Sequence, residues 1–253
     1  MKKLFLITAA LLTAATGVKA QDITLRLTQD QYETIKKQVN RENDEKRTFH
    51  SDWANYKYYA KDNAKVNHRP TGILFGNSIT RNWWRYDSTF IKQHDLLCRG
   101  ISGQVTSQML CRFRQDVINL HPGFVAILAG INDIALNNGP IPLERTFDNI
   151  VNMCELAKAN GIRPVLCLLT PTNNARWRPQ VKDIADQVIR LNEMIKAYAK
   201  KNKITVVDYY TPMLGENKGM KDGISEEGLH PNLEGYKIME DVLVKTLKLK
   251  KKK

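Results

Sequence analysis

After residue 20 the 253-residue sequence contains no apolar run long enough to cross a bilayer, so no later segment reads as a membrane span. Cysteine is scarce. Cys98, Cys111, Cys154 and Cys167 are the only four, and none belongs to a CxxC pair, so no zinc-ligand spacing is present and no metal is expected. Each lies in an apolar stretch such as LLCRG or PVLCLL, where a small buried hydrophobe is the expected role. Acidic residues are absent from both ends. Lys2, Lys3 and Lys19 at one end, with Lys245, Lys248 and Lys250 to Lys253 at the other, supply nine of the formal net charge of +13. The body is therefore only mildly basic, and it carries no nucleic-acid-reading motif, so no nucleic acid partner is expected. The lysine tail at 250–253 reads as solvated. With 42% hydrophobic and 26% charged residues, the composition excludes disorder, collagen and coiled coil.

The first twenty residues read as a signal peptide. Lys2-Lys3 is a short positive start, Leu4 to Gly17 an apolar core, and Val18-Lys19-Ala20 a cleavage site before Gln21. No cysteine follows, so no lipid anchor is expected. The chain should be exported and soluble, periplasmic or extracellular. Residues 21–70 are polar with scattered aromatics. They predict a helical extension packed on the main domain, with Trp53, Tyr56 and Tyr59 or Ala60 facing inward.

From residue 71 to 249 the rhythm changes. Apolar runs at Gly72–Phe75, Leu96–Cys98, Phe124–Ala129, Pro164–Leu169 and Ile204–Val207 alternate with helical patterns near 79–92, 105–120, 143–160, 177–202 and 233–249. Continuously apolar strands alternating with helices predict a parallel sheet covered on both faces, a three-layer α/β/α sandwich. Sites in such sheets form where loops leave the carboxyl ends of the strands. Small and polar residues recur at each exit: Ser78 after the first strand, Gly103 after the second, Asn132 after the third, Trp177 and Arg178 after the fourth, and His230 before the last helix.

A serine between strand and helix has two readings, a helix cap or a nucleophile whose own N–H sits at a helix N-terminus. His230 has Glu227 three residues earlier, a carboxylate able to fix the imidazole tautomer that a serine-activating base requires. Asn132 and Gly103 could donate, with the Ser78 N–H, to an oxyanion. Four such residues at successive strand exits favour acyl-transfer chemistry over separate structural roles.

These residues resemble the blocks of the SGNH hydrolases, the GDSL-like lipase and acylhydrolase family, over roughly residues 50–245. The blocks are Gly76-Asn77-Ser78, Ile101-Ser102-Gly103-Gln104, Gly130-Ile131-Asn132-Asp133 and Glu227-Gly228-Leu229-His230-Pro231. GNSIT, RGISGQ and LAGINDIA also look like secreted bacterial members. The resemblance implies a flavodoxin-like five-stranded sheet of order 2-1-3-4-5 and a serine esterase without cofactor. It implies Ser78 as nucleophile, His230 as base, and Ser78, Gly103 and Asn132 as oxyanion donors, with Asn77 and Asp133 behind them.

Two positions depart from the family pattern. Asn77 replaces an aspartate and should still brace the turn through its oxygen. Glu227 replaces another and must fold back to meet the ring, which leaves Asp222 or a backbone carbonyl as other ways to hold it. Trp83, Trp84, Trp177 and Arg178 are candidate substrate contacts, with core packing the other reading for the rings. The leading expectation is an esterase removing short acyl groups, acetyl above all, from glycans. The alternative is a catalytically impaired, carbohydrate-binding module on the same fold. A flavin carrier is excluded, because the first loop lacks a phosphate-cradling run.

Overall fold

In the computed structural model, residues 52–251 are described, together with strands β1 (Phe5–Thr8) and β2 (Thr24–Leu27) and residues 30, 33, 34 and 37. The chain divides into two compact units, residues 1–53 and 54–253. In the first, β1 and β2 pair antiparallel. The rest of the expected signal peptide, and most of the expected helical extension of 21–70 up to residue 51, lie outside the described residues. In the second unit the sequence expectation of a helix through residues 54–59 is not met. This stretch is turns, Asn55 is left-handed at φ 55°, and only α1 (Ala60–Asn63) is helical. Long-range bonds override a weak helical preference here. The Tyr59 hydroxyl donates to the Gly100 carbonyl (2.5 Å) and Gln104 Nε2 donates to that of Ala54 (2.9 Å). Tyr59 is buried, but Tyr56 remains exposed.

Five apolar runs form the sheet: β3 (Gly72–Gly76), β4 (Leu96–Gly100), β5 (Phe124–Leu128), β6 (Arg163–Cys167) and β7 (Thr205–Val207). All neighbours pair parallel in the order β4-β3-β5-β6-β7, which is 2-1-3-4-5 within the sheet. The longer helices are α2 (Ser78–Tyr86), α3 (Ser88–Gln93), α4 (Thr106–Asp116), α5 (Leu143–Ala159), α6 (Ile184–Asn202) and α7 (Leu233–Leu247). Alternate strand residues face opposite ways, so the sheet has two cores. Ile73, Phe75, Val125 and Ile127 pack with Met109, Phe113, Met153 and Leu191 from α4, α5 and α6. Leu74, Ala126 and Leu128 pack with Trp83, Ile91, Tyr236 and Met239 from α2, α3 and α7. This is the three-layer α/β/α sandwich.

Two expected helices are shorter than their apolar patterns. The pattern over 79–92 breaks at Asp87, whose carboxylate caps α3 by accepting from the Phe90 N–H (2.8 Å). The pattern over 177–202 starts only at Ile184, because Pro179 interrupts the preceding stretch. Among the described residues, no helix is long and apolar enough to cross a membrane, and no cluster of three His, Cys, Asp or Glu side chains could hold a metal ion.

All four cysteines are free. β4 and β6, which carry Cys98 and Cys167, are separated by β3 and β5. Cys98, Cys154 and Cys167 are buried, and burial pushes their thiols up to about 12. Cys111 departs from expectation and is exposed, since it lies on the outer side of α4 while Met109 and Phe113 point inward. In the native protein a thiol reagent should therefore titrate Cys111 alone, and after denaturation all four; a second fast native thiol would contradict this burial pattern.

The second core also buries a carboxyl group. Glu240 on α7 accepts a hydrogen bond from the Trp83 indole N–H (2.8 Å). Desolvation raises its pKa from 4.5 to about 7, with Asp87 and Asp241 adding to the rise and the indole N–H opposing it. Between these values the folded protein keeps a proton that the unfolded chain releases, so stability should fall as pH rises through this window. Glu240→Gln keeps an acceptor for Trp83 and removes the titration. Its melting temperature should exceed the parent's near pH 8 and approach it near pH 3.5, both values being about one unit outside the window. Parallel melting curves for the two proteins across this range would refute the assignment.

Candidate active site

Ser78 reaches the carboxyl edge of the sheet because β3 ends at Gly76 and α2 begins two residues later. The turn is tight. A Cβ on Gly100 of β4 would lie 2.3 Å from the Arg81 nitrogen and 2.5 Å from the Asn77 carbonyl, so only glycine lets the first turn of α2 approach this strand. Asn77 does not brace the turn as expected. Its side chain is 1% exposed, and neither its oxygen nor its nitrogen has a hydrogen-bond partner. The small space beside it is walled mostly by apolar groups, among them Ile79, Leu128 and Leu169.

His230 stands on a loop closed upon itself. Ser225 bridges to Pro231, the Ser225 hydroxyl donates to the His230 carbonyl (2.8 Å), and it accepts from the Gly228 N–H (2.9 Å). Leu229 is 2% exposed and anchors the loop in the core. One oxygen of Glu227 meets both the backbone N–H of His230 (2.7 Å) and its ring Nδ1 (2.5 Å). The other ring nitrogen, Nε2, lies 2.8 Å from Ser78 Oγ. An ionised carboxylate only accepts, so Nδ1 carries the proton and Nε2 is left to accept from the serine hydroxyl. The longer glutamate thus folds back over its own turn. Both ring nitrogens are occupied, while Asp222 is exposed and makes no hydrogen bond to the ring.

Opposite Ser78 the cleft wall is held by amides. Gly103 adopts φ +77°, a left-handed conformation that a side chain would strain. Asn132 is 3% exposed, and its Nδ2 donates to the Gln104 carbonyl (2.9 Å), which leaves a second N–H on that nitrogen. Asn137, which nothing in the sequence singled out, ties these parts together. Its Nδ2 donates to the Gly103 carbonyl (3.2 Å) and to Asn132 Oδ1 (3.0 Å), and its Oδ1 accepts from the Trp177 indole (2.9 Å). As part of an Asn-Asn-Gly run it reads locally as a turn residue and nothing more. Asp133 holds the start of α4 by accepting from the Thr106 N–H (3.0 Å) and hydroxyl (2.5 Å). Burial raises its pKa from 3.8 to about 6 against the pull of those bonds.

Beneath these loops lies Arg112, fully buried and paired with Asp116 at 2.8 Å. It donates to the carbonyls of Gly76 (3.0 Å) and Arg99 (3.1 Å), where β3 and β4 end, and to the Gln104 side chain (2.6 Å).

The resulting cleft has a volume of about 330 Å³ and is lined by Ser78, His230, Gly103, Asn132, Asn137 and Trp177, with Asn82, Ser102 and Leu229. Three expected substrate contacts are not on it. Trp83 is 2% exposed and packs in the core against Phe90, Tyr209 and Tyr236. Trp84 is exposed on the other side of α2, and Arg178 is half-buried away from this lining. Chemically the cleft offers a hydroxyl with an adjacent base, that base oriented by a carboxylate, and amide donors opposite.

Residues 74–238 match the GDSL-like Lipase/Acylhydrolase family. A protein of known structure from Bacteroides fragilis NCTC 9343 is 43% identical, with a TM-score of 0.76 over 78% of this chain and 98% of its own. A GDSL-like lipase from Bacteroides thetaiotaomicron VPI-5482 is 45% identical, with a TM-score of 0.74 over 77% of this chain and 98% of its own. The isoamyl acetate-hydrolyzing esterase of Saccharomyces cerevisiae is 27% identical over 69% of this chain and 84% of its own length. With the matched segment running from within β3 through β7 and every loop that builds the cleft, this chain belongs to the GDSL-like lipase/acylhydrolase family and is a carboxylic ester hydrolase.

Proposed function

We propose that Ser78, His230 and Glu227 form the catalytic triad, and that Ser78, Gly103 and Asn132 donate to the oxyanion. The observation that carries this reading is the unbroken hydrogen-bonded chain from Glu227 through His230 to Ser78 Oγ. Ser78 Oγ attacks the ester carbonyl carbon, and its proton passes to His230 Nε2. The imidazolium, stabilised by Glu227, returns that proton to the departing alcohol. A water molecule then repeats the sequence on the acyl-enzyme, giving the free acid and restoring the serine. The carbonyl oxygen gathers negative charge at the N-terminus of α2, within reach of the backbone N–H of Ser78 and Gly103 and the free N–H of Asn132.

The acyl group is short, and acetyl is the preferred case. The cleft is small, and among the described residues Leu229 and Trp177 are the only large apolar side chains on it, whereas a long acyl chain needs an extended apolar groove. A relative that hydrolyses isoamyl acetate supports the same choice. The alcohol part is a saccharide, and the Lys2-Lys3 start with its apolar run points to an exported enzyme.

Ser78→Ala should lower kcat on 4-nitrophenyl acetate by a factor on the order of 10⁶ without changing the fold. Glu227→Gln should lose about 10³-fold or more, since the amide cannot stabilise the imidazolium, while Glu227→Asp and Asp222→Asn stay within about tenfold of the parent. The reverse ranking for Glu227→Gln and Asp222→Asn would move the triad acid to Asp222. Asn137→Ala should cut kcat by about tenfold or more through loosened oxyanion donors, with KM nearly constant. A normal kcat with raised KM would make Asn137 a substrate contact instead.

A further inference from the structure

A second and larger cleft, of about 710 Å³, lies along the exposed side of α2 and takes no part in the chemistry above. Asn82 lines both clefts, and Arg81 donates to the Ser102 hydroxyl (3.1 Å) where they meet. The two spaces are therefore neighbours on either side of the first turns of the nucleophile's helix.

Its walls carry aromatic rings and positive charge together. Tyr58 and Trp84 are large rings held 45% and 48% exposed. Lys65, Arg81, Arg85 and Arg99 contribute four cations. Asp62 is the one acid on the lining among the described residues, and it is paired with Lys65 at 3.8 Å. His68, also on the lining, is bonded to Asp95 (2.8 Å). Arg85 is exposed and forms no ion pair among the described residues. Arg99 is only 5% exposed. Its Nε donates to Asn63 (2.7 Å) and its Nη1 to the Cys98 carbonyl (3.1 Å), and it too forms no ion pair among the described residues. Its guanidinium also lies over the Tyr59 ring, 4.8 Å from the centroid, which holds the fork at the edge of the cleft. Guanidinium forks match flat or tetrahedral oxyanions, and exposed rings suit the apolar faces of sugars.

We propose that this cleft binds the alcohol part of the ester, and that this part is an anionic saccharide. Its ring lies on Trp84 and Tyr58, and its carboxylate or sulfate meets Arg85 and Arg99. From Ser78 to Arg85 the helix rises about 10 Å, so the charged sugar is a neighbour of the acylated one and not the acylated one itself. The proposal rests on the esterase reading of Ser78.

The test compares kcat/KM on four substrates: an acetylated oligogalacturonide, a sulfated and acetylated oligosaccharide, a neutral acetylated xylo-oligosaccharide of equal length, and 4-nitrophenyl acetate. One or both anionic substrates should exceed the neutral one by about tenfold, the worth of one charge-assisted contact, and the advantage should shrink with added salt. The better of the two identifies the anion. Arg85→Gln and Trp84→Ala change exposed side chains that belong to neither core cluster. Each should lower kcat/KM on that substrate about tenfold, mainly through KM, relative to the same variant's rate on 4-nitrophenyl acetate. Equal rates on charged and neutral saccharides, or a ratio that neither substitution moves, overturns the proposal. A parent protein inactive on 4-nitrophenyl acetate would overturn the esterase reading itself.

Discussion

The buried ion pair between Arg112 and Asp116 is the interaction on which the site's framework rests. Neither side chain has any solvent exposure. Such a pair contributes little net stability against an apolar replacement, yet removing one partner costs about 3–5 kcal/mol because the other is left charged and buried. Its value lies in what the guanidinium reaches. One side chain joins the last carbonyl of β3, a carbonyl near the end of β4 and the side chain of Gln104. Those are the points from which the loops of Ser78 and Gly103 depart. Asp116 in turn accepts from Asn63 (2.7 Å), and Asn63 accepts from Arg99. The same network therefore ties residues 59–63 to the edge of the sheet, and it reaches the lining of the second cleft at Arg99 and that of the first through Gln104 and Asn132.

Above that network the proposed oxyanion donors are fixed before any substrate arrives. Gln104 uses its side chain on Arg112 and its carbonyl on Asn132, so the buried cation and the candidate oxyanion amide are linked through one residue. Asn137 closes the ring by holding Gly103 and Asn132 together. In the proposed oxyanion hole, donors held in this way need no reorganisation as charge develops. Asp133 adds a second tie, from the loop of Asn132 to the start of α4.

Glu227 shows how a longer side chain can be accommodated. Its oxygen serves both the backbone N–H and the ring of His230, so the extra methylene is taken up within the turn and the ring needs no shift. The turn is stiffened independently by Ser225 and by Asn232, whose Nδ2 donates to the Gly223 carbonyl (2.8 Å).

Much of this was legible in the sequence, because it depends on local pattern. Five apolar runs separated by amphipathic ones determine a covered parallel sheet, and the small polar residues at the strand exits mark its active edge. Ser78, Gly103, Asn132, Glu227 and His230 are visible on those grounds alone. Tertiary structure decided the rest. Trp83 and Trp84 are neighbours in sequence but point about 100° apart on one helix, and only the packing of α2 on the sheet turned Trp83 into the core and Trp84 toward the second cleft. Residues 54–59 gave up helical form because Ala54 and Tyr59 found partners beyond residue 99. Asn137 carries no local mark of its role, since the groups it joins lie as far as 40 residues away along the chain. Hydrophobic periodicity is a property of neighbours in sequence. A hydrogen bond between distant loops is set by how their supporting strands are stacked, which no short stretch of sequence records.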